Sequence, residues 1–441
     1  MAEGTPVSIP ESGAPQASAT AASAPASIGI VGGGQLAWML AEAARQRGVA
    51  LHVQTPSAND PAVPLATSVV QADVRDVAAT RELAQCCSAI SFENEWLDLD
   101  GLAPLAADGV QFVPDLEALR PLICKRSQRE LLQRLNLPSP RWFPLDQLIP
   151  PPPQQQAASA SPAATAASLV PAPPRLPSEF SYPVMAKAAS GGYDGKGTAL
   201  LRSDSDLQAL FSRVEPSGWI VEEFVSFEQE LAVVAARDCF GEVVCLPLVQ
   251  THQHQQVCDW VLAPVEASHG LQQAVRNIAA SLLTSLNYVG VLAIELFYGP
   301  RGLMVNELAP RTHNSGHYSI EACDCSQFAL QLLTVSGAAA PEPVLVAPGA
   351  LMVNLLGFEE RSGDDPAASY EPQRQALAAL PEAHLHWYGK RGSSLGRKLA
   401  HVTLLLRQSD PQARRQEAME RLEQVRQIWP LPPARNSAQA S

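Results

Sequence analysis

Glu295 and Glu307 lie on two apolar runs, 291–298 and 303–308, that flank Gly299-Pro300-Arg301-Gly302. Apolar runs around a Gly-Pro turn read as a β-hairpin, and loop length decides which side chains share a face. A three-residue loop, Pro300-Arg301-Gly302 with Gly302 left-handed, sets Gly299 opposite Leu303 and Glu295 directly opposite Glu307. A two- or four-residue loop sends the two acids to opposite faces. Facing carboxylates on apolar strands repel and cost desolvation, and a divalent cation between them reverses that sign. Mg²⁺ takes one or two carboxylates plus phosphate oxygens and water, and Asn306 supplies a neutral oxygen next door. The alternative is a partly exposed hairpin with each acid paired to a base.

A second cluster stands upstream. Lys187 closes an apolar run and precedes the loop Gly191-Gly192-Tyr193-Asp194-Gly195-Lys196-Gly197. The loop lacks the GxxxxGK[ST] pattern of a P-loop. Its four glycines can still form a flap whose amides fold over phosphates. Lys187 adds a fixed cation, which is costly to bury without an anion, and Lys196 adds another. The plain alternative is an ordinary turn beside a solvated lysine.

These groups need elements to hold them. Residues 28–31 read as a strand, Gly32-Gly33-Gly34 as a turn, 35–47 as a helix and 49–54 as a strand, a parallel βαβ unit. Further strands are expected at 68–72 and 89–93, with a helix at 77–85. Gly32, Gly34 and Ala37 fit GxGxxG/A, a turn that presents helix N–H groups to phosphate. Dinucleotide binding also wants an acid after the second strand, and Val53-Gln54-Thr55 offers none. Gln35 would sit in the first helical turn, within reach of a ligand. Later strands are expected at 184–187, 219–224 and 230–236, and helices at 271–286 and 411–427.

The chain has 441 residues, 46% apolar, with a formal charge of −13. That length suits two to four domains, and the charge argues against bulk binding to nucleic acid or anionic membrane. No run is long and apolar enough for a membrane span. The eight cysteines form no CxxC pair, so free thiols in a reducing, cytoplasmic setting are expected. Residues 1–27 are rich in Ala, Ser, Pro and Gly, have no apolar h-region and no basic residue, and read as a disordered tail. The stretch 150–177 opens on four prolines and reads as an inserted loop. A tail at 429–441 is expected to fray.

Together these residues carry a resemblance. Lys187, the 191–197 loop, Val221-Glu222-Glu223-Phe224-Val225 with Glu230, and Glu295 with Asn306-Glu307 look like an ATP-grasp enzyme. Gly32-Gly33-Gly34-Gln35-Leu36, the run Asn306 to His317 (containing Arg311, His313, Asn314 and Ser315), His386-Trp387-Tyr388-Gly389-Lys390 and Gly396-Arg397-Lys398 resemble the N5-carboxyaminoimidazole ribonucleotide synthases of purine biosynthesis, also described as the ATPase subunit of phosphoribosylaminoimidazole carboxylase. The resemblance spans about 28–427 apart from the insertion. It implies an α/β and α+β chain: a Rossmann-like pre-ATP-grasp domain at 28–125, an ATP-grasp domain at 126–338 and a small C-terminal α+β domain at 339–428. It implies ATP contacts from Lys125, Lys187, Gly192, Tyr193, Asp194, Gly195, Lys196, Gly197, Thr198, Glu222 to Val225, Glu230, Asn306 and Glu307. Magnesium (or manganese) falls to Glu295, Glu307 and Asn306. Gln35, Leu36, Glu93, Tyr193, Asp194, Arg311, His313, Asn314, Ser315, Lys390 and Arg397 would line the nucleotide substrate. One departure stands out: the family has Asn-x-His, its histidine near ATP, where this chain has Thr251-His252-Gln253, so by spacing Gln253 takes the ATP-contacting place, with His252 and His254 on either side as alternatives.

The implied chemistry is phosphoryl transfer from ATP to bicarbonate, giving carboxyphosphate, then carboxylation of the exocyclic amine of aminoimidazole ribonucleotide. Lys187 and Arg311 would offset phosphate charge, the 191–197 flap would exclude water, and Asp194 and His313 are the candidate bases. Lys390, Arg397 and Lys398 form a local basic cluster, read either as the seat of the substrate's 5′-phosphate or as a solvated charge run. The resemblance also implies a homodimer and raises a hand-off of product to a mutase. Two other readings remain open: a related ATP-grasp ligase using formate or another acid, and a binding-only ATP module. Deletion of 151–174 is expected to leave turnover nearly unchanged in a steady-state assay; a large loss would give the insertion an active part.

Overall fold

The computed structural model describes residues 27–149, 173–192 and 197–433. The expected N-terminal tail up to residue 26, most of the insertion, and Tyr193, Asp194, Gly195 and Lys196 of the flap therefore lie outside the described residues.

The N-terminal region is a four-stranded parallel sheet. β1 (Ser27–Val31), α1 (Gln35–Gln46), β2 (Ala50–Thr55), β3 (Ser68–Gln71), α2 (Val77–Ala84) and β4 (Ala89–Phe92) give the order β3-β2-β1-β4. β1 is covered on both sides, so it reads as a continuous apolar run. Ile28 and Ile30 pack with α1, while Val31 joins the cluster that holds α3 (Leu99–Ala107) and α4 (Leu116–Leu119).

α5 (Lys125–Arg134) leads into a small antiparallel sheet. Its strands are β5 (Trp142–Pro144), β6 (Val184–Ala188), β7 (Thr198–Leu201) and, after α6 (Asp204–Phe211), β8 (Trp219–Glu223), in the order β5-β8-β6-β7. Phe143, Val184, Ala186, Leu207 and Val221 give this lobe its own core.

The rest of the chain builds one nine-stranded sheet. Its elements are β9 (Gln229–Arg237), β10 (Val243–Cys245), β11 (Val249–His254), β12 (Val257–Ala263), α7 (His269–Ser285), β13 (Gly290–Gly299), β14 (Gly302–Ala309), α8 (Ser319–Ala322), α9 (Gln327–Val335), β15 (Gly349–Leu356), α10 (Glu371–Ala378), β16 (Ala383–Trp387), β17 (Lys398–Leu406) and α11 (Pro411–Ile428). The order is β14-β13-β9-β11-β12-β15-β17-β16, with β10 beside β9. The C-terminal strands thus continue the central sheet through the β12–β15 pairing, Trp260 opposite Val353, rather than forming a sheet of their own. β9 shows why a central strand lacks polar alternation: Leu231, Val233 and Ala235 enter one core, and Ala232, Val234 and Ala236 the other.

The expectation of a frayed tail at 429–441 needs correction over 429–433, and residues 434–441 lie outside the described residues. Trp429 is fully buried with Phe358, Tyr370 and Trp387 around it, and its indole N–H donates to Leu356 O at 2.8 Å. The carbonyls of Pro432 and Pro433 bond the side chains of His254 (3.1 Å) and Gln255 (3.0 Å). The chain is therefore anchored through residue 433.

Candidate active site

The two glutamates do face each other, but by another route than the expected three-residue loop. Gly299 pairs with Gly302, which leaves a two-residue turn, Pro300-Arg301. That turn alone would send Glu295 and Glu307 to opposite faces. A β-bulge compensates: Leu296 pairs with Val305, Glu295 pairs with Glu307, and Asn306 is the extra residue. Val291 and Ala293 face one core, and Glu295 continues their row on the same side of β13.

Cations converge on this pair from two elements. Lys125 of α5 lies 2.7 Å from Glu307. Lys187 of β6 donates to Asn306 Oδ1 at 3.1 Å and pairs with Glu222 at 2.8 Å. Arg129 of α5 holds the other Glu222 oxygen at 2.6 Å. Burial works against a charged Glu222, yet Arg129 and Lys187 hold it down to about 2. Burial, Glu307 and Glu230 push Glu295 upward, whereas Lys125, Lys187 and His313 overcome burial and hold Glu307 below the ordinary carboxylate value. Of the two, Glu295 is therefore the more readily protonated. The donor set, two carboxylates and an amide oxygen, is all hard oxygen and suits Mg²⁺ with phosphate completing the shell.

The 311–317 segment borders this floor. His313 Nε2 lies 3.5 Å from Glu295 Oε1, and its Nδ1 shares a 3.0 Å hydrogen bond with the Ser315 hydroxyl. Arg311 pairs with Glu95 at 2.8 Å. Asn314 and the buried Asn354 of β15 exchange reciprocal amide bonds of 2.9 and 2.6 Å. The glycine turn after β1 proves to be occupied by its own protein: the Glu93 carboxylate accepts from the N–H groups of Gly34 (2.7 Å), Leu36 (3.1 Å) and Ala37 (3.4 Å). Added Cβ atoms at Gly32 or Gly34 would strike Glu93, at 2.5 Å in each case. The turn therefore takes a carboxylate where a dinucleotide fold takes phosphate, and Gln35 opens α1 directly beside it. Further along, Lys390 donates to Lys398 O at 2.9 Å and lies over the Tyr388 ring. Arg397 donates to the carbonyl of Arg391 at 2.8 Å.

Three domain families match in chain order: the ribonucleotide synthetase preATP-grasp domain over 26–122, the ATP-grasp domain over 162–328 and the phosphoribosylaminoimidazole carboxylase C-terminal domain over 350–416. The N5-carboxyaminoimidazole ribonucleotide synthase of Synechococcus elongatus is 47% identical over 405 residues, 92% of this chain and 96% of the relative. The chain belongs to the N5-carboxyaminoimidazole ribonucleotide synthase family. Two solved structures of that family superpose on it. The Staphylococcus aureus enzyme complexed with ADP has TM-score 0.74 and 27% identity, covering 91% of this chain and 97% of its own. The Aspergillus clavatus enzyme complexed with ATP has TM-score 0.76 and 26% identity, covering 92% and 99%.

Among the residues that the N5-carboxyaminoimidazole ribonucleotide synthase family led us to expect around ATP, Glu222 and Glu223 commit their side chains to cations. Glu223 binds Arg141 and Arg301, each at 2.9 Å. Phe224 is exposed and Val225 buried. Gly192 lies at the described edge of the flap, and Gly197 O bonds Ala188 N at 2.7 Å. Thr198 reaches Gln256 at 2.5 Å. At the Gln253 departure, His252 stacks on Trp260 and His254 bonds Pro432 O. Gln253 instead pairs with Cys258, whose thiol feels Glu295 and Glu230. Sequence reasoning missed Arg129, Glu95 and Asn354.

Burial pushes Glu230 up to about 7, with His252 opposing. A carboxyl raised by folding favours the fold when protonated; that contribution is full below its ordinary value and is lost as pH rises through about 7. Glu230→Gln is expected to raise the apoprotein's Tm at pH 8 by about 2 °C or more, a difference that shrinks toward pH 5. The same change should weaken ATP binding about tenfold by removing a charged acceptor. Calorimetry across pH and ATP titration check both; a lower Tm at pH 8 would contradict the cost of burying this acid.

Proposed function

We propose that this chain carboxylates the exocyclic amine of 5-aminoimidazole ribonucleotide with ATP and bicarbonate, forming N5-carboxyaminoimidazole ribonucleotide in purine biosynthesis. What carries the reading is the cleft floor, Glu295 facing Glu307 under Lys125 and Lys187, in a chain 47% identical to a synthase of that name along 96% of the relative's length.

Bicarbonate is a poor electrophile. Its oxygen attacks the γ-phosphorus, ADP leaves, and carboxyphosphate forms. The amine nitrogen then takes the carboxyl carbon as phosphate departs, and it loses a proton. The protein's task in the first step is positioning and charge neutralisation. Lys125 and Lys187 sit over the carboxylates where phosphate oxygens would lie, and Arg311, held by Glu95, adds a fixed positive charge at the border of the substrate side. Mg²⁺ held by Glu295, Glu307 and Asn306, with Mn²⁺ as its substitute, would supply charge neutralisation on the transferred group. His313, 3.5 Å from Glu295, can take up the amine's proton; Asp194 is the second candidate. Gln35, Leu36 and Glu93 form the wall on the first domain's side, and Lys390, Arg397 and Lys398 would receive the 5′-phosphate.

No helix among the described residues is long and apolar enough to cross a membrane. Eight free cysteines support a cytoplasmic setting. A homodimer, and transfer of product to a mutase, extend the reading by family likeness.

ADP release from the purified protein with ATP, Mg²⁺ and bicarbonate, with and without aminoimidazole ribonucleotide, tests the proposal. Strong stimulation by that nucleotide with a bicarbonate requirement is expected. Stimulation by formate, or ATP binding without turnover, would overturn it.

A further inference from the structure

β14 is the edge of the nine-stranded sheet, so its outward backbone groups have no neighbouring strand. α5 answers them with side chains. Gln128 donates to Leu308 O at 2.9 Å and accepts from Leu308 N at 3.2 Å. Arg129 donates to Val305 O at 3.1 Å and to Asn306 O at 2.6 Å. In a regular strand, consecutive carbonyls point to opposite sides. Here two consecutive carbonyls meet one guanidinium, which requires the bulge at Asn306. That bulge is also the feature that turns Glu307 toward Glu295.

The same guanidinium reaches the phosphate side. Its Nε holds one oxygen of Glu222, whose other oxygen holds Lys187, and Lys187 returns to Asn306 Oδ1. The contacts close a ring: bulge, Arg129, Glu222, Lys187, bulge. Arg129 and Glu222 side chains are each only 3% exposed, so water does not compete for these bonds. A guanidinium suits this place because its planar fork serves three acceptors at once; an ammonium cannot span them.

We propose that Arg129 is a positioning residue for the phosphoryl-transfer centre: it fixes the bulge, and with it the spacing of Glu295, Glu307 and Lys187. This rests on the function proposed above, insofar as that spacing serves a metal–triphosphate.

The test uses the full chain with Arg129→Met and Arg129→Lys. Mn²⁺ binding is read by electron paramagnetic resonance in the presence of a non-hydrolysable ATP analogue, beside Tm and ADP release. Arg129→Met is expected to weaken Mn²⁺ binding by about tenfold or more and to lower kcat at saturating Mn²⁺ by a similar factor, with KM for aminoimidazole ribonucleotide unchanged. Arg129→Lys, keeping charge but not the fork, should fall between. If the methionine variant does not fold, the lysine variant decides. Mn²⁺ affinity and kcat within twofold of wild type in a folded variant, even with a lower Tm, would overturn the proposal. If the wild type lacks the proposed turnover, the Mn²⁺ arm still reads Arg129, so the two failures are distinguishable.

Discussion

Glu307→Ala is expected to lower turnover by about a thousand-fold or more, with the protein still folded. Glu307 faces Glu295 across β13 and β14 and carries the ion pair to Lys125. Its carboxyl is held low by Lys125, Lys187 and His313, whereas Glu295 is pushed up by burial and by Glu307 itself, so Glu307 is the more acidic of the two. Removing Glu307 removes the anion that would share a divalent cation and leaves Lys125 without its partner there. Glu307→Gln keeps the shape and loses the charge, so it should be nearly as inactive. Two measurements check this: ADP release, and the rise in Tm on adding Mg²⁺ with a non-hydrolysable ATP analogue, which should disappear. Wild-type turnover in either variant would end the assignment of these carboxylates.

The facing of Glu295 and Glu307 was legible in strand alternation, yet its cause was not. A two-residue turn and a one-residue bulge each shift the register by one and cancel, so a three-residue loop without a bulge predicts the same pairing. Asn306 was read as a ligand because of its chemistry; its place as the bulged residue depends on contacts from α5, far away in sequence. Arg129 escaped notice because α5 is rich in charge and resembles a solvated face. The signal was there in the spacing of Lys125, Gln128 and Arg129, which share one helix face. Asn354 is a lone amide in an otherwise apolar strand, a pattern that calls for a buried partner, and Asn314 is that partner. Glu93 was expected at the substrate wall. The missing acid after β2 and the acid after β4 together point to the capped α1 turn that the structure holds. At the C-terminus the tail read as frayed, but Trp429, the residue that follows α11, fills an aromatic pocket.

Lys187→Met is expected to reduce kcat/KM for ATP by about a hundred- to a thousand-fold while the fold persists. Methionine keeps the length and apolar stem of the side chain. Glu222 retains Arg129 at 2.6 Å, so the buried carboxylate keeps a cation. What is lost is the ammonium aimed at Asn306 Oδ1, at the point where β6 faces the carboxylate hairpin. Burial lowers the titration of Lys187 below the ordinary lysine range; Glu222 opposes this, and Arg129 and Lys125 reinforce it. Since the pH dependence of kcat/KM reports the free enzyme, its alkaline limb should lie below that ordinary range in the wild type and be absent in the methionine variant. Lys187→Arg should rescue poorly, because a fork does not replace a point charge wedged between Glu222 and Asn306. Steady-state ADP release against ATP concentration across pH decides the matter. Kinetic constants within threefold of wild type, or an unchanged alkaline limb, would remove Lys187 from the phosphate site and leave it a structural partner of Glu222.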